Sequence, residues 1–199
     1  MKINIPRMLS LSKHNPLILI FILCLFASCE KDSSKIHDEA FVVDTHNDVL
    51  LRSLMGRDIL TDLPESHSDL PKFKKGGMDL QVFAIWVSPN EFGEGDYYNR
   101  ANKMITQLEF LCSRVPNQWA IPFDYQDIIY NDQKGILSCM IGVEGGHAIE
   151  NDLGKLDALY DRGMRYLGIT WNNSTNWATS AKDETQKGDS LLFIGLTNF

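Results

Sequence analysis

The sequence predicts an α/β fold built on a parallel sheet, and three observations carry that prediction. Strand and helix signals alternate along the chain. The strands read as continuous apolar runs rather than alternating ones, which implies burial on both faces. Polar, chemistry-bearing residues gather directly after the strands, where parallel α/β sheets carry their sites. Two closures satisfy this pattern, a doubly wound open sheet and a (β/α)8 barrel.

The first thirty of the 199 residues stand apart from that pattern. With His14 counted as neutral, Lys2, Arg7 and Lys13 are the only charged residues ahead of an apolar run, Leu17 to Phe26. Ten residues fall short of the ~20 that a spanning helix needs, but they suit the apolar region of a secretory signal. The run ends in L-F-A-S-C, similar to a bacterial lipoprotein signal in which the cysteine is acylated and becomes the new N-terminus. Residues 1–28 are therefore expected to be a signal peptide, Cys29 the lipidated residue and residues 29–40 a polar tether to a domain at 41–199. The protein is expected to be exported to a bacterial cell envelope and held on the membrane through Cys29.

Loss of residues 1–28 removes three positive charges and no negative one, taking the formal charge from −7 to −10. So acidic a chain lacks the basic footprint that nucleic acid requires. Beyond Cys29 only Cys112 and Cys139 remain, too few for a disulfide scaffold, and both lie in apolar segments as expected of buried thiols.

Phe41 to Val43 opens the first strand, Gln81 to Val87 is the second, Ile136 to Val143 the third and Tyr166 to Trp171 the fourth. Residues 97–114 place Ala101, Met104, Ile105, Leu108, Leu111 and Cys112 at helical spacing, a stripe suited to packing on a sheet. Residues 151–162 repeat the pattern with Leu153, Leu156, Leu159 and Tyr160. Asp152 is placed to cap that helix and Gly163 to end it. Gly142, Gly145 and Gly146 match neither a dinucleotide-binding nor a P-loop spacing.

Three strands run into polar groups. The first meets D-T-H-N-D, where two-residue alternation places Asp44, His46 and Asp48 on one face. Imidazole nitrogen with carboxylate oxygen suits Zn²⁺, although H-x-D alone is a common pattern. The third strand meets V-E-G-G-H. Glu144 follows a run of apolar and small residues, a costly place for a carboxylate unless it is paired or ligated. His147 is expected beside the site or in a structural role, and His37 and His67 on the surface. The fourth strand meets T-W-N-N-S-T-N-W.

Four blocks in order, F-V-V-D-T-H-N-D, G-G-M-D-L-Q-V-F-A-I-W-V, I-G-V-E-G-G-H-A-I-E and G-M-R-Y-L-G-I-T-W-N-N-S-T-N-W-A, resemble the membrane (renal) dipeptidase family. These are zinc peptidases of the amidohydrolase-like barrel type. The resemblance implies a (β/α)8 metal-dependent hydrolase barrel with two Zn²⁺ ions, of which this chain holds about the N-terminal half. His46 and Asp48 are then ligands of the first zinc and Glu144 the bridge between both, acting on a water that attacks the scissile carbonyl. The implied substrates are dipeptides, with frequent tolerance of a D-residue on the C-terminal side and, in some members, opening of β-lactams.

Two departures qualify the match. Trp171 occupies the place where the family usually has a histidine that assists at the tetrahedral intermediate, so Trp171, with Asp44 and His147, is expected around the site rather than in its chemistry. The family's remaining zinc histidines and a late aspartate lie on strands beyond residue 199, and the closing L-L-F-I-G-L-T-N-F resembles the lead into a further barrel helix. The expectation is thus an N-terminal fragment with four strands of eight, whose open edges invite association into a homo-oligomer. The competing reading is a non-catalytic or decayed membrane-tethered binding protein. Other amidohydrolases, such as deaminases, typically open with H-x-H.

Overall fold

The computed structural model describes residues 33–187 and 195–197. The expected signal peptide and Cys29 lie outside them. The chain divides into two units, residues 1–39 and 40–199. The first contributes helix α1 (Ser33–Glu39), within the stretch expected as a tether. No described helix is long and apolar enough to cross a membrane.

The second unit alternates strands and helices as expected. Strand β1 (Val43–Asn47) leads through the short helices α2 (Leu50–Leu54) and α3 (Leu70–Lys75) to β2 (Leu80–Trp86). Helix α4 (Tyr97–Arg114), the two-residue strand β3 (Trp119–Ala120) and helix α5 (Tyr125–Lys134) precede β4 (Leu137–Glu144). A 3-10 turn (Gly146–Ile149), helix α6 (Leu153–Asp161), strand β5 (Met164–Leu167) and helix α7 (Ala181–Lys187) follow. Every strand pairing is parallel: β1 with β2, β2 with β4, and β4 with β3 near its start and β5 near its end. Leaving aside the two-residue β3, four strands run in barrel order.

Alternation along β2 and β4 sorts the residues onto two faces. Phe83 pairs with Ile141 and Ile85 with Val143, all fully buried, and they join the α4 stripe of Met104, Ile105, Leu108 and Leu111 in one core. Phe73, Phe83 and Trp119 form an aromatic triangle with ring centroids 5.4–6.3 Å apart. Each such side chain contributes roughly 1.5–3 kcal/mol through burial. Cys139 is buried and Cys112 half-buried, both free thiols. Burial and the neighbouring Cys112 push the Cys139 thiol well above its ordinary range.

Helix α4 covers the predicted range, and α6 is capped by Asp152, which accepts from the Gly154 amide at 2.8 Å. Gly163, at φ 102°, follows it in a backbone conformation that disfavours any side chain. Of the stripe expected on α6, however, only Leu159 is buried, while Leu153 and Tyr160 are exposed.

Two local expectations need correction. The fourth strand runs from Met164 to Leu167 rather than from Tyr166 to Trp171. Beyond Leu167 the chain bends: the Gly168 amide donates to the Val143 carbonyl, and the Ile169 carbonyl accepts from Gly146, so residues 168–171 fold over the end of β4 instead of extending the ladder. In β1, Asp44 does not share a face with His46 and Asp48. Asp44 pairs with Gln81 and Asn47 with Phe83, three residues against two, so one residue bulges and the alternation shifts.

Candidate metal centre

The bulge in β1 is held by a polar network on the outer face of the sheet. Gln81 is fully buried and donates to the Asp44 carbonyl (3.3 Å) and the Val82 carbonyl (3.0 Å). Asn47 Nδ2 donates to Ser68 Oγ (2.9 Å), and the Asp44 carboxylate accepts from the His46 amide (3.1 Å). Asp44 therefore shapes the backbone beneath His46 without joining the donor cluster.

On the inner face, at the carboxyl ends of β1 and β4, three predicted residues converge. His46 Nε2 lies 3.7 Å from Asp48 Oδ2 and 3.4 Å from Glu144 Oε2. One donor atom from each of the three lies within 4.8 Å of the others. Donors about 2.0–2.2 Å from one tetrahedral ion stand about 3.3–3.6 Å apart, so the His46–Glu144 contact fits a shared cation and the His46–Asp48 contact lies just beyond that span. Charge points the same way. Burial and the Asp48 carboxylate raise the Glu144 carboxyl, while His46 opposes the rise. Two carboxylates facing one imidazole at a strand end favour a divalent cation with mixed nitrogen and oxygen ligands.

Trp86 pairs with Glu144 in register, and its ring lies 5.1 Å from that of Trp171. Trp171 also packs against Gly145, where an added Cβ would come 3.3 Å from the Trp171 Cβ. The two indoles therefore wall the cluster beside Glu144.

His147 lies beside the cluster without joining it: a Cβ on Gly145 would come 2.4 Å from its Cε1 and 2.6 Å from its Nδ1. His147 is buried, and Nε2 lies 2.8 Å from the Val87 carbonyl. A carbonyl only accepts, so Nε2 carries the proton. Burial holds the imidazole below its ordinary pKa, which keeps it neutral. Its ring packs edge-on against Tyr97 at 5.0 Å and lines a cleft of about 170 Å³ with Glu150 and Asn173. His37 and His67 are exposed, as expected.

Sequence reasoning missed Trp86, Gln81 and Tyr166. Trp86 closes an apolar strand and was legible only as core, whereas its register with Glu144 places it at the site.

Comparison with known proteins shows the family. The model of the family "Membrane dipeptidase (Peptidase family M19)" matches residues 30–199. The chain belongs to that family. Dipeptidase 3 of Mus musculus is 32% identical over 146 residues, covering 70% of this chain and 29% of the mouse protein. Dipeptidase 3 of Macaca fascicularis is 47% identical over 165 residues, covering 79% and 32%. The crystal structure of dipeptidase AC, a metallopeptidase of family M19, superposes with a TM-score of 0.63 at 27% identity, covering 70% of this chain and 45% of that one. A probable dipeptidase from Pseudomonas aeruginosa has the same fold, with a TM-score of 0.64 at 21% identity. The chain thus spans about a third of the length of these curated relatives and less than half of those solved chains. Its fold is the N-terminal half of the family's (β/α)8 barrel.

Proposed function

We propose that this chain contributes the first half of the binuclear centre of a zinc-dependent dipeptidase. The observation that carries the reading is the convergence of His46, Asp48 and Glu144 at the carboxyl end of a parallel sheet in a member of this family. In this reading His46 and Asp48 would hold one Zn²⁺, and Glu144, having two carboxylate oxygens, would serve a second as well. The remaining ligands belong to the portion of the barrel that the relatives have beyond the matched region.

The chemistry that zinc supplies when bound is polarisation of the scissile carbonyl and activation of water near neutral pH. The chain's own residues set the stage for it. His46 presents Nε2, and Asp48 and Glu144 present carboxylate oxygens. Trp86 and Trp171 exclude solvent along one wall and offer an apolar surface to a dipeptide side chain. At position 171 an indole donates one N–H and accepts nothing, so it shuttles no proton there.

The same reading keeps residues 1–28 as signal, Cys29 as the lipid-bearing residue, 29–40 as tether and 41–199 as barrel, on an exported lipoprotein of a bacterial cell envelope. It is supported by the short apolar run and the L-F-A-S-C sequence.

Metal analysis of the purified chain beside its Glu144→Ala variant tests the proposal. Bound zinc that disappears in the variant is expected, and equal zinc in both sinks the reading. Dipeptide hydrolysis by a chain extended to the relatives' length separates an enzyme from a tethered binding protein, which would turn nothing over.

A further inference from the structure

Tyr166 on β5 pairs in register with Gly142 on β4. A Cβ on Gly142 would lie 2.2 Å from Tyr166 Cζ and 2.5 Å from its Cε1 and hydroxyl oxygen, so the phenol ring occupies the space a side chain would need there. Ala84, paired with Gly142 on the next strand, is also small and buried. Two small residues in one row thus leave a slot across the inner face of the sheet. From that slot the Tyr166 hydroxyl reaches the Thr45 carbonyl on β1, donating at 3.3 Å.

Thr45 is no ordinary strand residue. It lies between Asp44 and Asn47, where the β1–β2 register breaks, and directly precedes His46. A bulge bends a strand and re-aims its side chains, so its backbone needs anchoring to keep one direction. The Asp44 carboxylate fixes the His46 amide from the outer face. The Tyr166 hydroxyl fixes the preceding carbonyl from the inner face.

We propose that Tyr166 is a positioning residue for the metal centre, tying the β1 bulge to β5 across Gly142 so that His46 presents Nε2 to Asp48 and Glu144. The proposal rests on the zinc reading given above. Partners that orient a ligand without touching the ion typically govern metal affinity by 10–100-fold.

The test is a Co²⁺ titration of the full chain followed by visible absorption, with wild type, Tyr166→Phe, His46→Ala and the distant control Tyr125→Phe. Phenylalanine keeps the ring over Gly142 and removes only the hydroxyl. The expected result is that Tyr166→Phe binds Co²⁺ roughly tenfold more weakly, with a shifted visible band and an unchanged far-ultraviolet circular dichroism spectrum. Tyr125→Phe should match wild type. Wild-type affinity and spectrum in Tyr166→Phe overturn the positioning role while leaving the zinc reading intact. Equal Co²⁺ binding by wild type and His46→Ala, or none by wild type, overturns the zinc reading and the inference with it. Loss of the circular dichroism signal in Tyr166→Phe makes the hydroxyl a folding requirement and overturns the proposal.

Discussion

His46 Nε2 stands 3.4 Å from Glu144 Oε2, although ninety-eight residues separate them in the chain. Parallel pairing of β1 with β2 and β2 with β4 brings the two strand ends to one rim. The bulge in β1 then turns His46 and Asp48 inward while Asp44 stays outside. The cluster is therefore a product of register, and each of its neighbours can be assigned by the face it occupies.

That assignment separates two acidic residues, Glu144 inside the cluster and Asp44 outside it. Glu144→Ala removes a donor from the cluster and is expected to reduce Zn²⁺ or Co²⁺ affinity at least tenfold. Asp44→Ala removes an acceptor for the His46 amide and for Asn47 Nδ2, no donor of the cluster, and should retain the metal with at most a modest loss of affinity. Isothermal titration of both variants checks this. Metal loss in Asp44→Ala equal to that in Glu144→Ala would falsify the division of faces.

His147 offers the complementary case, a histidine packed on Gly145 beside the cluster whose Nε2 is engaged by the Val87 carbonyl. His147→Phe keeps an aromatic ring against Tyr97 but leaves the buried Val87 carbonyl without its donor. The expected cost is about 1–3 kcal/mol of stability with metal affinity unchanged. Urea denaturation measures the first and Co²⁺ titration the second. A variant as stable as wild type but unable to bind metal would contradict the structural role.

How much of this was legible in the sequence depended on what each segment buries. Helix α4 was legible because Ala101, Met104, Ile105, Leu108 and Leu111 repeat at helical spacing and all five are buried. Helix α5 was not, because the only residue it buries is Asn131, and periodicity had no apolar stripe to find. His46, Asp48 and Glu144 were readable as polar groups ending strands. The shift of Asp44 to the opposite face was not, since a one-residue bulge leaves no mark in an alternation that continues on both sides of it. Tyr166 was hidden for a different reason: its partner is the absence of a side chain at Gly142.

The network under the bulge makes a prediction of its own. Gln81 is fully buried in β2, donates to the Asp44 and Val82 carbonyls and lies 3.5 Å from Asn47 Nδ2. Gln81→Leu adds apolar surface of similar size yet strands these partners. The variant is expected to lose about 1–3 kcal/mol of stability rather than gain any. Thermal or urea unfolding decides it, and a leucine variant of equal or greater stability would show that the network contributes nothing.

Acid should open the segment after β5 before it opens the sheet. Asp183 accepts from the Ser174 amide (3.0 Å) and hydroxyl (2.7 Å) and pairs with Lys187 at 2.9 Å. Ser174 in turn accepts from the Ser180 amide, and Ser180 donates to the Asn172 carbonyl, so one carboxylate anchors a closed loop. The Ser174 hydrogen bonds, with help from Lys187, lower the Asp183 pKa from 3.8 to about 2. A folded-state pKa below the unfolded one means that the carboxylate stabilises the loop above about pH 4. That contribution fades as pH falls from about 4 through 2, because protonation then favours the open form. Asp183→Asn never carries the charge, so its loop should exchange faster at pH 6 and show little of the added acid sensitivity. Hydrogen–deuterium exchange resolved to residues 172–183, run at several pH values for both proteins, reads this directly. Parallel pH dependence in wild type and variant would remove Asp183 as the anchor.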